Sequence, residues 1–378
     1  MGQIRCEKMI EGNFLPRWVS IGLIPLINLL LAFLVSGIVI FFIGENPFQA
    51  ILVMIKGAFY YPGSIGYTLY YTTNFIFAGL AVALAFHAKL FNIGGEGQAY
   101  VGGLGVGLVC LALDQSINSF LVTILAVFGS AIFGAFWGVI PGYLQAKRGS
   151  HIVITTIMFN FIAASLMVYL LVNVIIEPGQ MSPETRDFSE GVGLVQVHKL
   201  ANYFGINIAV SPFNISFFIA LLVSFGFWIL VWRTKFGYEV RSLGHSETAA
   251  KYAGIDVSRT IVLVMAISGG LAGLVAINEL LGVHNKLLLG FTAGYGFTGI
   301  AVALMGRNHP VGIFLSSLLF GALYQGGTEL DFEFSSITRE MVLLIQGLII
   351  LFSGALAYMM NPIVEKIYFN YFKGPKNA

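Results

Sequence analysis

The sequence predicts an all-α, polytopic integral membrane protein with about ten transmembrane helices, inverted repeats and both termini in the cytoplasm. Three observations predict it: few charges, long charge-free windows, and a one-sided distribution of lysine and arginine. Of 378 residues, 57% are hydrophobic and 10% charged, whereas soluble domains carry about 25% charged residues. This composition excludes an ordinary cytosolic enzyme and a disordered chain. A net charge of +2 also argues against nucleic-acid binding, which needs a basic surface.

The membrane spans are predicted from windows of at least 17 residues that contain no Asp, Glu, Lys or Arg. Lipid cannot hydrogen-bond the backbone, so long apolar windows are expected to be helical. The weakest windows, 97–113 and 287–306, are short and rich in glycine and could be broken or re-entrant helices. The ten windows are 18–44, 57–88, 97–113, 115–146, 149–176, 200–232, 260–278, 287–306, 308–328 and 341–364.

The orientation follows from the positive-inside rule. If the N-terminus is cytoplasmic and ten spans alternate, 15 of the 20 Lys and Arg residues lie inside and 5 outside. The first window is too long for a cleavable signal peptide, so we expect a retained anchor in a bacterial inner membrane. The expected organisation is a cytoplasmic N-terminus, 1–18, one transmembrane domain, 19–364, and a cytoplasmic tail, 365–378.

A short internal repeat supports an inverted arrangement. The segment 78–81 reads Ala-Gly-Leu-Ala, and 269–272 reads Gly-Gly-Leu-Ala. In the predicted topology these two segments run in opposite directions, as inverted repeats of transporters do. The alternative is a chance match in a chain rich in glycine and alanine.

Two loops are long enough to carry function. The loop 177–199 is polar and acidic and is expected outside. The loop 233–259 is expected inside and holds a run of helix formers at 249–252, with Gly244 before it and Gly254 after it as boundaries. A short helix on the cytoplasmic face is predicted, and an ordinary solvated connection is the alternative.

Polar side chains within the apolar windows are candidates for a transport pathway, because they are expensive in lipid and normally face protein or water. The alternative is that each one bonds a neighbouring helix. In the segment 91–98, Asn92 can cap the helix that follows and Glu96 can complement its dipole. The candidate pathway residues are Asn74, Asn92, Glu96, Gln98, Asn160, Asn278 and Tyr295.

The sequence gives no sign of catalysis. It has no Gly-x-x-x-x-Gly-Lys-Ser/Thr phosphate loop and no grouping of carboxylates, His or Cys suited to a reaction. The two cysteines, Cys6 and Cys110, offer neither a disulfide framework nor metal-ligand spacing. We therefore expect a transport subunit with no ATPase site, no metal and no cofactor of its own.

Three motifs resemble one family. Residues 90–98, Leu-Phe-Asn-Ile-Gly-Gly-Glu-Gly-Gln, resemble the first signature of ABC importer permeases of the branched-chain amino acid and sugar type. Residues 294–306 resemble the second signature, and 244–255 resemble the cytoplasmic coupling loop. The resemblance runs from about residue 20 to 360. Within the family it is greatest to permeases paired with basic membrane lipoprotein binding proteins, which serve nucleosides or simple sugars.

The resemblance implies partners in the membrane and on both of its sides. They are a second homologous permease subunit, a cytoplasmic ATP-binding subunit, and an extracytoplasmic substrate-binding lipoprotein or periplasmic protein. The expected function is ATP-driven import of a small polar solute, a nucleoside first and a pentose or other simple sugar second. An ion-coupled carrier is a third hypothesis and would need an essential titratable group, for which Glu96 and Glu279 are candidates. The residues expected to couple to the ATPase are Arg241, Gly244, Ala249, Ala250, Tyr252 and Gly254.

Overall fold

The computed structural model describes residues 19, 23–338, 341–348, 351 and 364. Over these residues the fold is all-α, and the only strand-like pairings are two isolated bridges. The described residues up to 54 and from 327 onward belong to one compact unit, and residues 55–326 form the other. The predicted all-α class is therefore confirmed, and the contacts discussed below lie within 55–326.

The helices before residue 174 are long and joined by short connections. The first pair, Leu30–Ile43 and Pro47–Phe59, is bent by 117° at the break between its two parts. The helices are α1 (Ile24–Ile43), α2 (Pro47–Phe59), α3 (Ser64–His87), α4 (Gly95–Leu113), α5 (Ser119–Arg148) and α6 (Ile152–Asn173).

The second half of the described chain mixes long and short helices. After α11 the chain continues as a π-helical segment, Ile277–His284, within the same candidate span. The helices are α7 (Val197–Tyr203), α8 (Ser216–Arg233), α9 (Lys235–His245), α10 (Glu247–Tyr252), α11 (Val257–Gly273), α12 (Tyr295–Met305) and α13 (Pro310–Glu333).

Seven helices within the described residues are long and apolar enough to cross a membrane, or eight if the bent pair is one span. The window 97–113 is a full 19-residue helix, α4. The window 287–306 holds only the 11-residue α12, about 17 Å long and shorter than a bilayer core. The window 200–232 is helical as α8 only from Ser216. Most of 341–364 lies outside the described residues.

The helices of unit 55–326 pack closely where small residues meet. A Cβ atom on Gly134 of α5 would collide with the carbonyl oxygen of Gly269 of α11. At the same crossing, Ser130 donates a hydrogen bond to the carbonyl oxygen of Gly273 at 2.6 Å. Small residues allow such approach in membranes, where van der Waals packing replaces the hydrophobic effect. The contact fixes α11, and with it the π-helical segment, against α5.

Candidate functional site

The seven candidate pathway residues fall into two polar clusters. We call Asn92, Glu96, Gln98 and Asn160 the signature cluster, because three of them lie in the segment 91–98. The other three join a second cluster around a carboxylate, which we call the Glu279 cluster. Side chains of the signature cluster bind mainly backbone groups, whereas those of the Glu279 cluster bind mainly other side chains.

In the signature cluster, the carboxamides hold backbone and neighbouring helices. The Nδ2 of Asn92 donates to Gln98 Oε1 at 2.9 Å and to Ser268 Oγ on α11 at 2.8 Å. Asn92 Oδ1 accepts from the backbone of Gly94 at 2.9 Å. Asn92 therefore binds the N–H of Gly94, the residue that precedes α4, and not an N–H of the first turn, as the predicted cap would. Because Asn92 and Gln98 are both 1% exposed, these bonds are internal ones.

Asn160 of α6 binds the same stretch of backbone from the other side. Its Oδ1 accepts from the N–H of Gly97 at 2.8 Å, and its Nδ2 donates to the carbonyl oxygen of Ile93 at 2.9 Å. Each of its polar atoms thus has a backbone partner in the connection before α4 or in its first turn. The arrangement fixes the helix start in position.

Glu96 binds a different partner from the one its place in the first turn predicts. Its Oε1 accepts from the N–H of Gly294 at 3.0 Å, and its Oε2 accepts from the N–H of Gly296 at 2.9 Å. Both donors lie at the start of α12. The carboxylate of the first signature therefore caps the helix of the second, although 200 residues separate Glu96 from Gly296.

The Glu279 cluster lies where α3 faces the π-helical segment. Asn74 Nδ2 donates to Glu279 Oε1 at 2.5 Å. His284 Nε2 lies 3.6 Å from Glu279 Oε2. The Glu279 side chain is 4% exposed, so this is a buried carboxylate whose hydrogen-bond donor is a neutral amide. Single-turn π insertions are frequent at functional sites.

Asn278 ties this carboxylate to two further elements. Its Nδ2 donates to Asn74 Oδ1 at 2.8 Å and to the carbonyl oxygen of Tyr70 at 3.1 Å. Its Oδ1 accepts from Asn214 at 2.9 Å and from Ser216, at the start of α8, at 2.7 Å. One amide thus connects α3, α8 and the π-helical segment.

Aromatic rings adjoin the Glu279 cluster. The ring centroid of Tyr295 lies 5.6 Å from that of Phe75, the residue after Asn74, and 6.2 Å from that of Tyr324. Tyr324 lies 5.0 Å from Phe75 and 5.7 Å from Tyr71. These four rings, which we call the aromatic cluster, come from α3, α12 and α13.

The sequence prediction included Asn74, Asn278 and Tyr295 but missed what joins them. Glu279 entered it only as a titratable group for an ion-coupled carrier. Tyr71 and Tyr324 were not among the candidates, because tyrosines are common in membrane helices and gave no signal of their own. The closeness of Glu279 and Asn74, 205 residues apart, is a tertiary contact that no local pattern shows.

The loop 177–199 is held to helix ends by ion pairs. Arg186 donates to both oxygens of Asp114, at 2.7 and 2.8 Å, just after α4. These hydrogen bonds lower the pKa of Asp114 to about 2. Lys286, which follows the π-helical segment, lies 3.0 Å from Glu184, and this hydrogen bond raises the pKa of Lys286.

The loop 233–259 contains two short helices, α9 and α10. The predicted helix over 249–252 is part of α10, which is capped by Ser246 through the N–H of Ala249 at 3.3 Å. Gly244, expected as a boundary, instead lies within α9 and is buried against α3, where a Cβ would collide with the carbonyl oxygen of His87. The helix stops before Gly254, as predicted.

The six candidate coupling residues do not share one surface. Ala250 is 1% exposed and packs inward, whereas Tyr252 is 94% exposed. Ala249 and Gly254 are exposed, Arg241 is half-buried, and Gly244 is buried. Of these six, Ala249, Tyr252 and Gly254 are therefore the most accessible to another protein.

A family model described as "Branched-chain amino acid transport system / permease component" matches residues 64–354, well over half of the chain. The matched segment contains both polar clusters and the loop with α9 and α10. It also contains the segments 90–98, 244–255 and 294–306 that carry the sequence resemblance.

Full-length relatives agree with this match. The guanosine ABC transporter permease protein NupP of Bacillus subtilis is 33% identical over 351 residues, 91% of this chain and 97% of the relative. The nucleoside ABC transporter permease protein NupB of Lactococcus lactis is 31% identical, covering 87% and 90%. The glucose ABC transporter permease protein TsgB13 of Haloferax volcanii is 30% identical, covering 89% and 88%.

Proposed function

The chain belongs to the permease family of branched-chain amino acid transport systems, and we propose that it imports a nucleoside. As a member of this family it is the multi-pass membrane subunit of an ABC importer and functions in transport. Family membership implies an ATPase and a substrate-binding protein as partners. We further propose its membrane topology and the surface by which it contacts the ATPase.

The observation that carries the cargo assignment is the buried pairing of a polar cluster with aromatic rings. Glu279, Asn74 and Asn278 lie next to the ring of Tyr295 within the helices of unit 55–326. A nucleoside presents a flat base and a hydroxylated sugar, so it matches rings beside hydrogen-bonding groups. Two of the relatives described above are named as guanosine and nucleoside permeases, and their similarity covers most of this chain.

A simple sugar is the second candidate cargo. The glucose permease relative is 30% identical over 338 residues, nearly as similar as the nucleoside relatives. A sugar would also use the amides and the carboxylate of the Glu279 cluster. An ion-coupled carrier is the third candidate, since Glu279 is a buried titratable group.

The proposed topology retains ten spans, with residues 1–18 and 365–378 cytoplasmic, 19–364 as one transmembrane domain, and inverted repeats. The short α12 would then form only the helical part of the span 287–306. Its start is held by Glu96, so it does not need bilayer length to be fixed in place. In this topology loop 177–199 lies outside and loop 233–259 lies inside a bacterial inner membrane.

The proposed complex contains a second homologous permease, a cytoplasmic ATPase that contacts α10, and an extracytoplasmic binding lipoprotein or periplasmic protein. The basic, exposed surface of loop 233–259 supports a protein contact there. Closure of the ATPase on binding ATP would pass through α9 to α3, on which Gly244 packs.

The test is uptake into proteoliposomes. The complete complex is supplied with ATP and with radiolabelled guanosine, uridine, ribose or glucose, and this chain alone serves as the control. We expect ATP-dependent accumulation of nucleosides by the complex and none by the chain alone. Accumulation of sugars only would replace the cargo assignment. Active uptake by the chain alone would establish an ion-coupled carrier instead.

A further inference from the structure

We propose that the base of the nucleoside is bound at the Glu279 cluster, with Glu279 accepting hydrogen bonds from the base and Tyr71 and Tyr324 stacking on it. This inference rests on the proposed function and assigns a binding site within it. In the proposed topology the site lies in the outer half of the membrane.

Glu279 occupies an unusual position for a carboxylate. A charged side chain inside a membrane bundle is expensive and is normally paired. Within the described residues, no Lys or Arg forms an ion pair with Glu279. Its nearest basic group is His284, at 3.6 Å, whose side chain is 36% exposed. Glu279 is therefore held by neutral partners, and a ligand with N–H donors would supply further ones.

Glu279 has unused capacity to accept hydrogen bonds. An ionised carboxylate accepts about four hydrogen bonds. Asn74 donates one to Oε1, and the contact of Oε2 with His284 is longer than a hydrogen bond. An N–H donor of a ligand can therefore bind Oε2 while Asn74 stays bound to Oε1.

An aromatic surface adjoins the Glu279 cluster. Tyr70, Tyr71, Asn74 and Phe75 lie on adjacent turns of α3, and the rings of Tyr70 and Tyr71 are 5.1 Å apart. Phe75 is fully buried, whereas Tyr71 and Tyr324 are half-buried. The aromatic cluster therefore has a closed side and an accessible side. A flat ring can enter only at the accessible side, where stacking would also bring its edge toward Asn74 and Glu279.

The two features together favour a base over a sugar. A base has a flat π face and N–H donors at its edge, so it uses the tyrosines and the carboxylate at once. A sugar has many hydroxyls and no planar face, so its binding would depend on the carboxylate more than on the rings. The relative effect of the two kinds of variant therefore distinguishes the two ligands.

The experiment compares guanosine with purine riboside, which has the same ring system without N–H donors. Uptake by the full complex is measured with Glu279→Gln and, as a matched control, Glu190→Gln, an exposed carboxylate outside both clusters. Because every complex uses the same binding protein, the ratio of the two uptake rates reports on the permease. Glu279→Gln is expected to lower the guanosine to purine riboside ratio about tenfold, and Glu190→Gln to leave it unchanged.

The proposed stacking of the base on Tyr324 is tested with Tyr324→Ala and Tyr324→Phe. We expect the alanine variant to reduce uptake of both nucleosides about tenfold and the phenylalanine variant to retain it. This pair also decides the matter if Glu279→Gln fails to assemble. Unchanged nucleoside uptake in an assembled Tyr324→Ala complex, or an unchanged ratio in an assembled Glu279→Gln complex, overturns the site. A wild-type complex that carries sugars but no nucleosides overturns the proposed function as well.

Discussion

The carboxylate of Glu96 accepts a hydrogen bond from the backbone N–H of Gly296 at 2.9 Å, and this bond joins the two signature segments of the chain. Glu96 also accepts the N–H of Gly294. A helix start carries free N–H groups and a partial positive charge, which a carboxylate satisfies. The first signature thus supplies the N-terminal cap of α12, a helix too short to be anchored by its own length.

Replacing Glu96 with glutamine should weaken this cap. An amide oxygen can accept from one of the two N–H groups, and its NH₂ group then faces the other donor. Because hydrogen bonds to charged groups contribute about 1.5–3 kcal/mol each, we expect a lower Tm. Uptake per assembled complex should remain within about twofold of the wild-type rate, since the charge of Glu96 is expected to hold α12 in place and not to bind the cargo. Measuring Tm and uptake together checks this, with Glu247→Gln on the exposed face of α10 as a control. Normal Tm with abolished uptake would show a direct role in the pathway.

Gly296→Ala should be more damaging than its size suggests. A Cβ at this position would collide with the backbone nitrogen of Glu96, and overpacking typically costs about 1–3 kcal/mol. The matched control is Gly226→Ala in α8, where a Cβ meets nothing within 4 Å. That change should stabilise the helix by about 0.5–1 kcal/mol. Thermal unfolding in detergent measures both, and equal shifts would contradict the close contact.

Sequence patterns predicted the class and the long helices, because apolar runs in lipid have few alternatives to a helix. They predicted the helix at 249–252 and its end before Gly254, since both depend on residues that are near in the chain. They could not predict that Glu96 binds Gly296, because that bond joins segments 200 residues apart. For the same reason the sequence shows Glu279 as an isolated titratable group and not as the centre of a cluster.

The predicted helix boundaries were wrong where the hydrophobicity of a segment and its backbone geometry disagree. The window 200–232 is free of Asp, Glu, Lys and Arg, yet α8 begins only at Ser216. Pro212 and the positive φ of Gly205 interrupt any helix before that point. Gly244 looked like a helix boundary, but it is a packing position inside α9, since a glycine allows close approach as readily as it allows a turn.

The Asp114–Arg186 ion pair should make stability depend on acid pH. Because the pKa of Asp114 is lowered to about 2 in the fold, the folded state binds its proton less readily than the unfolded state. The stabilisation is then complete above the ordinary pKa and is lost as the pH falls toward 2. We expect Asp114→Asn to cost about 2 kcal/mol at pH 7. Its Tm deficit relative to wild type should shrink between about pH 5 and pH 2.

The control for this experiment is Glu190→Gln, an exposed carboxylate in the loop that contains Arg186. Its Tm should follow wild type at every pH. A deficit of Asp114→Asn that stays constant from pH 7 to pH 3 would show that shape, and not charge, accounts for the effect.

The proposed orientation predicts which loops an impermeant thiol reagent reaches. In a background without Cys6 and Cys110, Met181→Cys should label in intact cells because Met181 is fully exposed in the loop expected outside. Tyr252→Cys, equally accessible on α10, should label only after the cells are permeabilised. Labelling of Tyr252→Cys in intact cells, with Met181→Cys protected, would reverse the orientation.

The coupling contact can be tested with two adjacent alanines that differ in burial. Ala249 is exposed on α10, whereas Ala250 is 1% exposed and packs inward. A tryptophan at 249 adds bulk to the surface that would meet the ATPase. A tryptophan at 250 adds it to the interior of the permease, where overpacking costs about 1–3 kcal/mol. We therefore expect Ala249→Trp to leave the Tm unchanged while reducing co-purification of the ATPase and substrate-stimulated ATP hydrolysis.

Ala250→Trp is expected to lower the Tm of the permease itself, so any loss of coupling there would be secondary to packing. Tyr252→Ala provides an independent check, because it removes the most exposed side chain of α10 without adding bulk. If Ala249→Trp and Tyr252→Ala both leave ATPase binding and stimulation intact, α10 does not form the contact. The half-buried Arg241 of α9 and the exposed Gly254 would then be the remaining candidates in this loop, since Gly244 packs on α3.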